Sequence, residues 1–354
     1  MRYNILVLNL GSTSTKVAIY NNLNSLAEET LRHPSSETVK PMPEQIEYRL
    51  KAILGFLTEQ NFDPSTIDIV SARGGTLKPI EGGTYNINDQ MVTDLLESRY
   101  GRHASNMSGL IADRFRNKYD CKAVITDPVV VDELVDEVRM TGLKGIERKS
   151  IFHALNQKAV ARKYAESVHK DYEDINVIIC HMGGGITAGA HRRGRVIDVN
   201  DGLSGEGPMS PNRTGSLPNG AFAKYVIDHQ LDYDSAYELI TKKGGFMSLA
   251  GTQDALELEK QALSGDGSAI AIYEAMAVQI AKEIAARAAI LKGETEQIIF
   301  TGGLAYSEYL INLINPYISF IAPITVYPGE EEMSALAEGA YRVISGEESM
   351  KTYE

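Results

Sequence analysis

Two stretches of this sequence, about 170 residues apart, follow the same pattern. The first runs from Ile5 to Tyr20 and the second from Val177 to His191. In each, an apolar run leads to a polar residue, one apolar residue and a turn of small residues, and a second apolar run follows. This pattern predicts a strand, a tight turn and a second strand. A repeat of about half the chain predicts a duplicated domain, because solenoid repeats are much shorter.

Elsewhere, short apolar runs alternate with longer segments of helical spacing. Strands are predicted at 67–72, 123–126, 196–199 and 297–300, and helices at 45–59, 151–168, 269–291 and 332–345. Such alternation predicts an α/β fold with a largely parallel sheet covered by helices, and the hairpins make each sheet mixed. The domain boundary is expected near 142–149, where glycines and charged residues interrupt the pattern, and 202–220 has the composition of a long functional loop.

Composition narrows the function. The net charge of −12 disfavours non-specific nucleic-acid binding, so an anionic substrate must meet local cations and backbone N–H groups. Cys121 and Cys180 lie in apolar runs without a CxxC pair, which predicts buried, reduced thiols. The N-terminus lacks a signal-peptide pattern, and no apolar run reaches membrane-spanning length. We therefore expect a cytoplasmic protein that binds neither membrane nor nucleic acid.

Three turns of small residues each follow an apolar strand, at 11–16, 183–187 and 301–303. Small residues let backbone N–H groups approach phosphate oxygens, and hydroxyls add donors. The run from Gly11 to Lys16 lacks the second glycine of a P-loop, and neither hairpin has the dinucleotide-binding spacing. A nucleotide would therefore need a different phosphate cradle.

Cationic and titratable residues fall beside these turns or at predicted strand ends. They are Lys16, Arg73, Asp127, His153, His181, Arg213 and the glutamates Glu330, Glu331 and Glu332. Strand carboxyl ends are where α/β sheets present catalytic groups. Cations for phosphoryl oxygens and carboxylates for Mg²⁺ together suit phosphoryl transfer.

The sequence resembles the acetate and butyrate kinase family. The run from Val7 to Lys16 (VLNLGSTSTK) is similar to the family's first signature, and Ile179 to Thr187 (ICHMGGGIT) to its second, in the same order and at the right separation. Residues 181–218 look more like the butyrate than the acetate members. The resemblance covers essentially the whole chain. It implies two duplicated actin-like (ribonuclease H-like) domains around an interdomain cleft, formed by 1–148 with a C-terminal helix at about 335–354, and by 149–334.

The resemblance also implies residue roles. The first phosphate-contacting turn would comprise Asn9, Ser12, Ser14 and Lys16. ATP phosphates and adenosine would meet Gly183, Gly184, Gly185, Thr301, Gly302 and Gly303. The acid's carboxylate and the transferring phosphoryl group would be held by Arg73 and Arg213, with His153 and His181 hydrogen-bonded to the phosphoryl group. Mg²⁺ would be organised by Asp127 and Glu332, with Glu330 as an alternative in the same acidic run.

Two positions depart from the acetate kinases of the family. Gly75 stands where they carry a valine that confines the acyl methyl, and its missing side chain is expected to leave room for added methylenes, each worth about 0.8 kcal/mol when buried. Gln157 stands where they carry a second histidine. Its amide can donate a hydrogen bond but cannot carry a proton.

The reaction implied is reversible, in-line phosphorylation of a short-chain fatty acid by ATP: butanoate + ATP giving butanoyl phosphate + ADP, with Mg²⁺, in a homodimer or higher homo-oligomer. Acetate, propionate or isobutyrate are alternative substrates. The non-enzymatic alternative is an ATP-dependent scaffold or chaperone like actin or Hsp70.

Overall fold

The computed structural model describes residues 1–354, which form two compact units. Unit 1 comprises Met1–Val131 with Glu331–Glu354, and unit 2 comprises Asp132–Glu330. The boundary expected from the sequence lay at 148/149, whereas residues 132–148 group here with unit 2. The Val135 N–H donates to the Ile197 carbonyl of that unit. None of the helices is both long and apolar enough to cross a bilayer.

Strands and helices alternate along the chain. The strands are β1 (Asn4–Leu10), β2 (Ser14–Asn21), β3 (Asn24–Arg32), β4 (Ile69–Ala72), β5 (Thr84–Asn86), β6 (Lys122–Thr126), β7 (Asn176–Met182), β8 (Ile186–Arg192), β9 (Arg195–Val199), β10 (Gln297–Gly302), β11 (Ile324–Pro328) and β12 (Lys351–Thr352). The helices are α1 (Ser35–Thr38), α2 (Met42–Glu59), α3 (Asp89–Glu97), α4 (Asn106–Tyr119), α5 (Asp136–Arg139), α6 (Ala154–Ser167), α7 (Asn219–Asp228), α8 (Tyr233–Thr241), α9 (Gly245–Ala250), α10 (Ala255–Leu263), α11 (Gly267–Ile290), α12 (Glu308–Ile318) and α13 (Glu332–Ser345).

The two units are built on the same strand arrangement. The sheet of unit 1 has the order β12-β5-β6-β4-β1-β2-β3, and that of unit 2 the order β11-β10-β7-β8-β9. In unit 1, β1 pairs antiparallel with β2 and parallel with β4. In unit 2, β7 pairs antiparallel with β8 and parallel with β10. The predicted duplication and the mixed sheets are therefore confirmed.

The central strands are apolar on both faces because helices cover the sheets. All but the first residue of β1 and of β7 are buried. Helices α4 and α13 pack against the central strands of unit 1, and α6 and α11 do so in unit 2. Runs buried on both faces are typical of such covered sheets.

Most predicted elements are present with small shifts at their ends. The last predicted helix coincides with α13, and Asp266 caps α11 by accepting from the Ala269 N–H. Helix α6 begins at Ala154 rather than at residue 151. The carbonyl of Ile151 accepts instead from the Gly202 N–H of the long loop, so the chain stays non-helical there.

Candidate active site

In unit 1, the predicted residues lie at one edge of the sheet. Asn9 is near the end of β1, while Arg73 and Asp127 directly follow β4 and β6. These three strands are adjacent and parallel, with Leu8 opposite Ala72 and Ala72 opposite Ile125. Their carboxyl ends therefore present the three polar side chains along the same edge.

Asn9, Arg73 and Glu332 form a connected polar group. The Asn9 amide donates to Glu332 Oε2 at 2.6 Å and accepts from Arg73 Nη1 at 3.2 Å. Arg73 Nη2 lies 3.1 Å from Glu332 Oε1. The Arg73 side chain stays 40% exposed and the Glu332 side chain 15%, so the guanidinium retains donors for a further anion. Of the three consecutive glutamates, Glu332 is the one in this group.

The first small-residue turn is held from behind by an arginine that sequence reasoning missed. The Gly11 N–H donates to the Ser14 carbonyl, which closes the turn. The buried Arg49 side chain, on α2, donates to the carbonyls of Ser12 (2.9 Å) and Ser14 (3.0 Å). Arg49 stands between Ile46 and Ile53 on the apolar stripe of α2. An arginine at a core-facing helical position is the sequence signal that identifies it.

Asp127 is fixed by its own turn. Its backbone is left-handed (φ +40°), and its Oδ1 accepts from the Gly83 N–H at 2.7 Å. The Asp127 N–H returns a bond to the Gly83 carbonyl. A buried carboxylate in a strained backbone conformation at a strand end is typical of functional sites.

Gly75 does not leave the space that the sequence comparison predicted. A Cβ on Gly75 would lie 2.7 Å from the Asn106 Cα, so the position of a side chain is already filled. Asn106, at the start of α4, accepts from the Thr76 N–H at 2.9 Å and donates to the Gly101 carbonyl at 3.0 Å. The glycine lets α4 approach the Arg73 segment. The size argument for a longer acid is therefore corrected, while a place for Gly75 in the substrate pocket stays a prediction.

In unit 2, the second and third turns lie side by side at the corresponding edge. His181 pairs with Thr301 in the β7–β10 register, and the turns at 183–185 and 301–303 follow. Gly302 has φ +88°, and a Cβ there would lie 2.8 Å from the Met182 carbonyl carbon. Only glycine combines this backbone conformation with such a close approach. Glu330 follows β11, the next strand along.

His153 and His181 are stacked. Their rings are 3.7 Å apart and within 12° of parallel. His181 Nδ1 is hydrogen-bonded to Asn156 Oδ1 at 2.7 Å, and His181 Nε2 lies 3.1 Å from Glu330 Oε1. His153 Nδ1 is hydrogen-bonded to the Thr187 hydroxyl at 3.0 Å. Sequence reasoning paired neither histidine with these partners: Asn156 lies on α6, Thr187 on β8, and Glu330 follows β11.

Arg213 packs directly over the second turn. A Cβ on Gly185 would lie 2.6 Å from the Arg213 Cζ, and Arg213 Nη1 donates to the Gly202 carbonyl. Burial lowers the pKa of the Arg213 guanidinium, and the charge of Asp201 opposes that shift. Ser210, from the same loop, donates to the Gly184 carbonyl at 2.6 Å. The 202–220 loop therefore brings a cation and a hydroxyl against the glycine turn.

No group of three or more histidine, cysteine, aspartate or glutamate side chains is arranged to hold a metal ion. Mg²⁺ is commonly bound by one or two carboxylates, with phosphate oxygens and water completing its octahedron. Asp127 and Glu332 are carboxylates of this kind at the edge of unit 1. The donor set fits an ion that arrives with a nucleotide rather than one in an all-protein cage.

Comparison with known proteins decides the family. Residues 139–352 match the model of the acetokinase family. The whole chain is 48% identical over 355 residues to Butyrate kinase 2 of Clostridium acetobutylicum, which is also covered completely. The chain belongs to the acetokinase family. The resemblance to this family, which rests on the two glycine motifs, is thereby confirmed over the whole chain.

Two solved structures share this acetokinase fold. Acetate kinase of Porphyromonas gingivalis superposes with a TM-score of 0.77 and 19% identity, over 97% of this chain and 100% of that one. A propionate kinase from Francisella tularensis gives 0.74 and 18%, over 95% and 98%. These likenesses confirm the predicted α/β, actin-like fold class.

Proposed function

We propose that this acetokinase-family protein transfers the γ-phosphoryl group of ATP to the carboxylate of a short-chain fatty acid, with butanoate as the preferred acid. The observation that carries the proposal is the full-length match to a protein named Butyrate kinase 2. Butanoate and ATP give butanoyl phosphate and ADP, and the reaction runs in both directions.

The residues of the chain act by positioning and by neutralising charge. A carboxylic acid is already ionised at neutral pH, so its oxygen attacks phosphorus without a general base. Arg73 and Arg213 hold the acid's carboxylate and the transferring phosphoryl group, because guanidinium N–H groups match both anions. His153 donates a hydrogen bond to the phosphoryl oxygens, and His181, whose Nδ1–H already donates to Asn156 Oδ1, does so through Nε2 as an imidazolium. The three small-residue turns contact the nucleotide through backbone N–H groups and hydroxyls.

Three further properties belong to this proposal. Asp127 and Glu332 would orient a Mg²⁺ ion that neutralises the nucleotide phosphates, with Glu330 as an alternative ligand. The protein acts in the cytoplasm, and it assembles as a homodimer or a larger homo-oligomer.

The test is a hydroxamate assay for acyl phosphate with ATP, Mg²⁺ and straight and branched acids of one to five carbons. We expect kcat/KM to be highest for butanoate. A maximum at acetate, propionate or isobutyrate would keep the reaction but change the acid. A slow ATPase that is indifferent to every acid would contradict the proposal and favour a scaffold like actin or Hsp70.

A further inference from the structure

A chain of buried hydrogen bonds in unit 2 leads from a tyrosine to His153. Its links are Tyr172 Oη to His191 Nδ1 (2.7 Å), His191 Nε2 to Gln157 Oε1 (3.0 Å), Gln157 Nε2 to Thr187 Oγ1 (2.9 Å), and Thr187 Oγ1 to His153 Nδ1 (3.0 Å). Gln157, Thr187 and His191 have no exposed surface, and Tyr172 is 4% exposed. Thr187 is the last residue of the second turn, whereas Gln157, His191 and Tyr172 lie outside the three turns and outside the two family signatures.

A backbone carbonyl sets the direction of the chain. Gln157 Nε2 lies 3.0 Å from the Thr187 carbonyl oxygen as well as from the hydroxyl of that residue. A carbonyl can only accept, so the amide nitrogen must face Thr187 and the amide oxygen must face His191. His191 Nε2 therefore donates to Gln157. Gly189 allows this placement, because a Cβ there would collide with the Gln157 Oε1 atom.

His191 is held neutral, so its second nitrogen accepts. Burial lowers the pKa of His191 well below its ordinary value, and the charges of Lys158 and Arg162 lower it further. Lys158 is itself paired with Glu133 at 3.0 Å. Tyr172 then donates its phenolic hydrogen to Nδ1, which is the remaining acceptor.

The last hydrogen bond of the chain extends this donor-to-acceptor direction to His153. The hydroxyl oxygen of Thr187 accepts from Gln157. The single hydrogen of that hydroxyl is therefore left to be donated to the lone pair on His153 Nδ1. We propose that Gln157, aimed by His191 and Tyr172, makes Thr187 a fixed donor and so holds His153 as the tautomer with its proton on Nε2. Gln157 and Thr187 are thus positioning residues for His153.

This tautomer matches the role proposed for His153. Phosphoryl oxygens are acceptors, so a neutral imidazole is useful to them only through a nitrogen that carries a proton. That consequence rests on the proposed function, whereas the tautomer itself does not. It also gives a physical role to the amide at a position where acetate kinases of the family have a histidine.

The test reads the His153 tautomer directly. Two-bond ¹H–¹⁵N correlation spectra of ¹⁵N-histidine-labelled protein, without nucleotide or acid, distinguish the protonated from the bare ring nitrogen. The protein has seven histidines, and the signal lost in His153→Gln assigns the ring. We expect the proton on Nε2 in the wild type. Thr187→Val, which keeps the carbonyl bond to Gln157, should shift the population toward Nδ1–H, and so should Gln157→Met.

The matched control is Thr325→Val. The Thr325 hydroxyl also accepts from a glutamine, Gln297, at 2.9 Å on the same sheet, but it lies outside the chain. The Thr325→Val variant should leave the His153 signals unchanged. Because one hydrogen bond biases an equilibrium by a modest factor, Thr187→Val should also lower kcat for the acid kinase reaction roughly two- to tenfold, with little change in KM.

Two results would overturn the inference: a wild-type His153 protonated on Nδ1, or a tautomer population unaffected by both Thr187→Val and Gln157→Met. If the tautomer shifts as expected but no acid is phosphorylated, the proposed function fails and the hydrogen-bond chain stands. If acids are phosphorylated while the tautomer is the wrong one, the reverse holds.

Discussion

At the scale of single residues, three arginines differ in how many of their hydrogen-bond donors are already used within the protein. Arg49 is 1% exposed and donates only to its own unit's turn. Arg73 is 40% exposed and shares Glu332 with Asn9. Arg213 is partly buried, packs against Gly185, and has a buried Nε without a hydrogen-bond partner. Arg49 therefore stabilises the fold, while Arg73 and Arg213 retain donors for an anionic ligand.

We expect Arg73→Ala to lower kcat for acyl phosphate formation by at least about 100-fold, as the loss of one preorganised hydrogen-bond donor does in other enzymes. Its half-exposed side chain predicts little change in the free energy of unfolding. Arg213→Ala should lower kcat similarly and also destabilise unit 2, since a partly buried guanidinium that donates to the Gly202 carbonyl is removed. Steady-state kinetics and urea unfolding measure both effects. Near-normal turnover in either variant would contradict the assigned roles.

Arg49→Met should destabilise the protein by about 2–4 kcal/mol, because three acceptors each lose a charged hydrogen-bond donor. These acceptors are the carbonyls of Ser12 and Ser14 and the buried Thr15 hydroxyl. Urea unfolding measures the change. The control is Arg114→Met, whose exposed ion pair with Glu47 predicts a loss of at most about 1 kcal/mol. Equal losses in the two variants would mean that Arg49 does not hold the turn.

At the scale of elements, the glycine turns combine residues fixed by packing with residues left open. Gly302 is constrained by its φ of +88° and by the neighbouring Met182 backbone. A Cβ on Gly303 or on Gly184 would meet no atom within 4 Å. In the third turn, therefore, the backbone conformation and packing require a glycine at Gly302, whereas a Cβ on Gly303 would have room.

The pair Gly302→Ala and Gly303→Ala separates these roles. Gly302→Ala should cost about 1–3 kcal/mol in unfolding free energy, because alanine is strained at positive φ and would press on β7. Gly303→Ala should leave the unfolding free energy within about 0.5 kcal/mol of the wild type. If Gly303 contacts ATP as proposed, its variant should raise the KM for ATP while folding normally. An unchanged KM would remove Gly303 from the nucleotide site.

At the scale of the whole molecule, the repeat predicted the duplicated sheets because each hairpin is determined by residues that are close together in the sequence. The strand-end residues followed from the same pattern. What the sequence could not supply are contacts between distant elements. Asn106 fills the space beside Gly75, and Gln157 meets Thr187 and His191 only once α6 packs against the sheet of unit 2. The sequence also did not show that the acidic run 330–332 is divided between the two units. Glu332 is hydrogen-bonded to Asn9 in unit 1, whereas Glu330 contacts His181 in unit 2.

The stability of the whole molecule should fall between neutral and mildly acid pH because buried histidines with lowered pKa values must be protonated, and His33 is one of them, together with His191. His33 is hydrogen-bonded to the Thr15 hydroxyl at 2.9 Å, and burial, with a smaller contribution from the charge of Arg49, lowers its pKa to about 4. The unfolded chain, with an ordinary pKa of about 6.5, binds this proton first, so stability is full above pH 6.5 and is lost as the pH falls toward 4. Protonation linked to His33 should therefore lower the free energy of unfolding by about 2 kcal/mol between pH 7.5 and pH 5. In urea unfolding at both values, His33→Gln should reduce the pH-dependent loss by that amount, while His229→Gln, at an exposed position, should not. An identical loss in wild type and His33→Gln would show that another group controls the acid sensitivity.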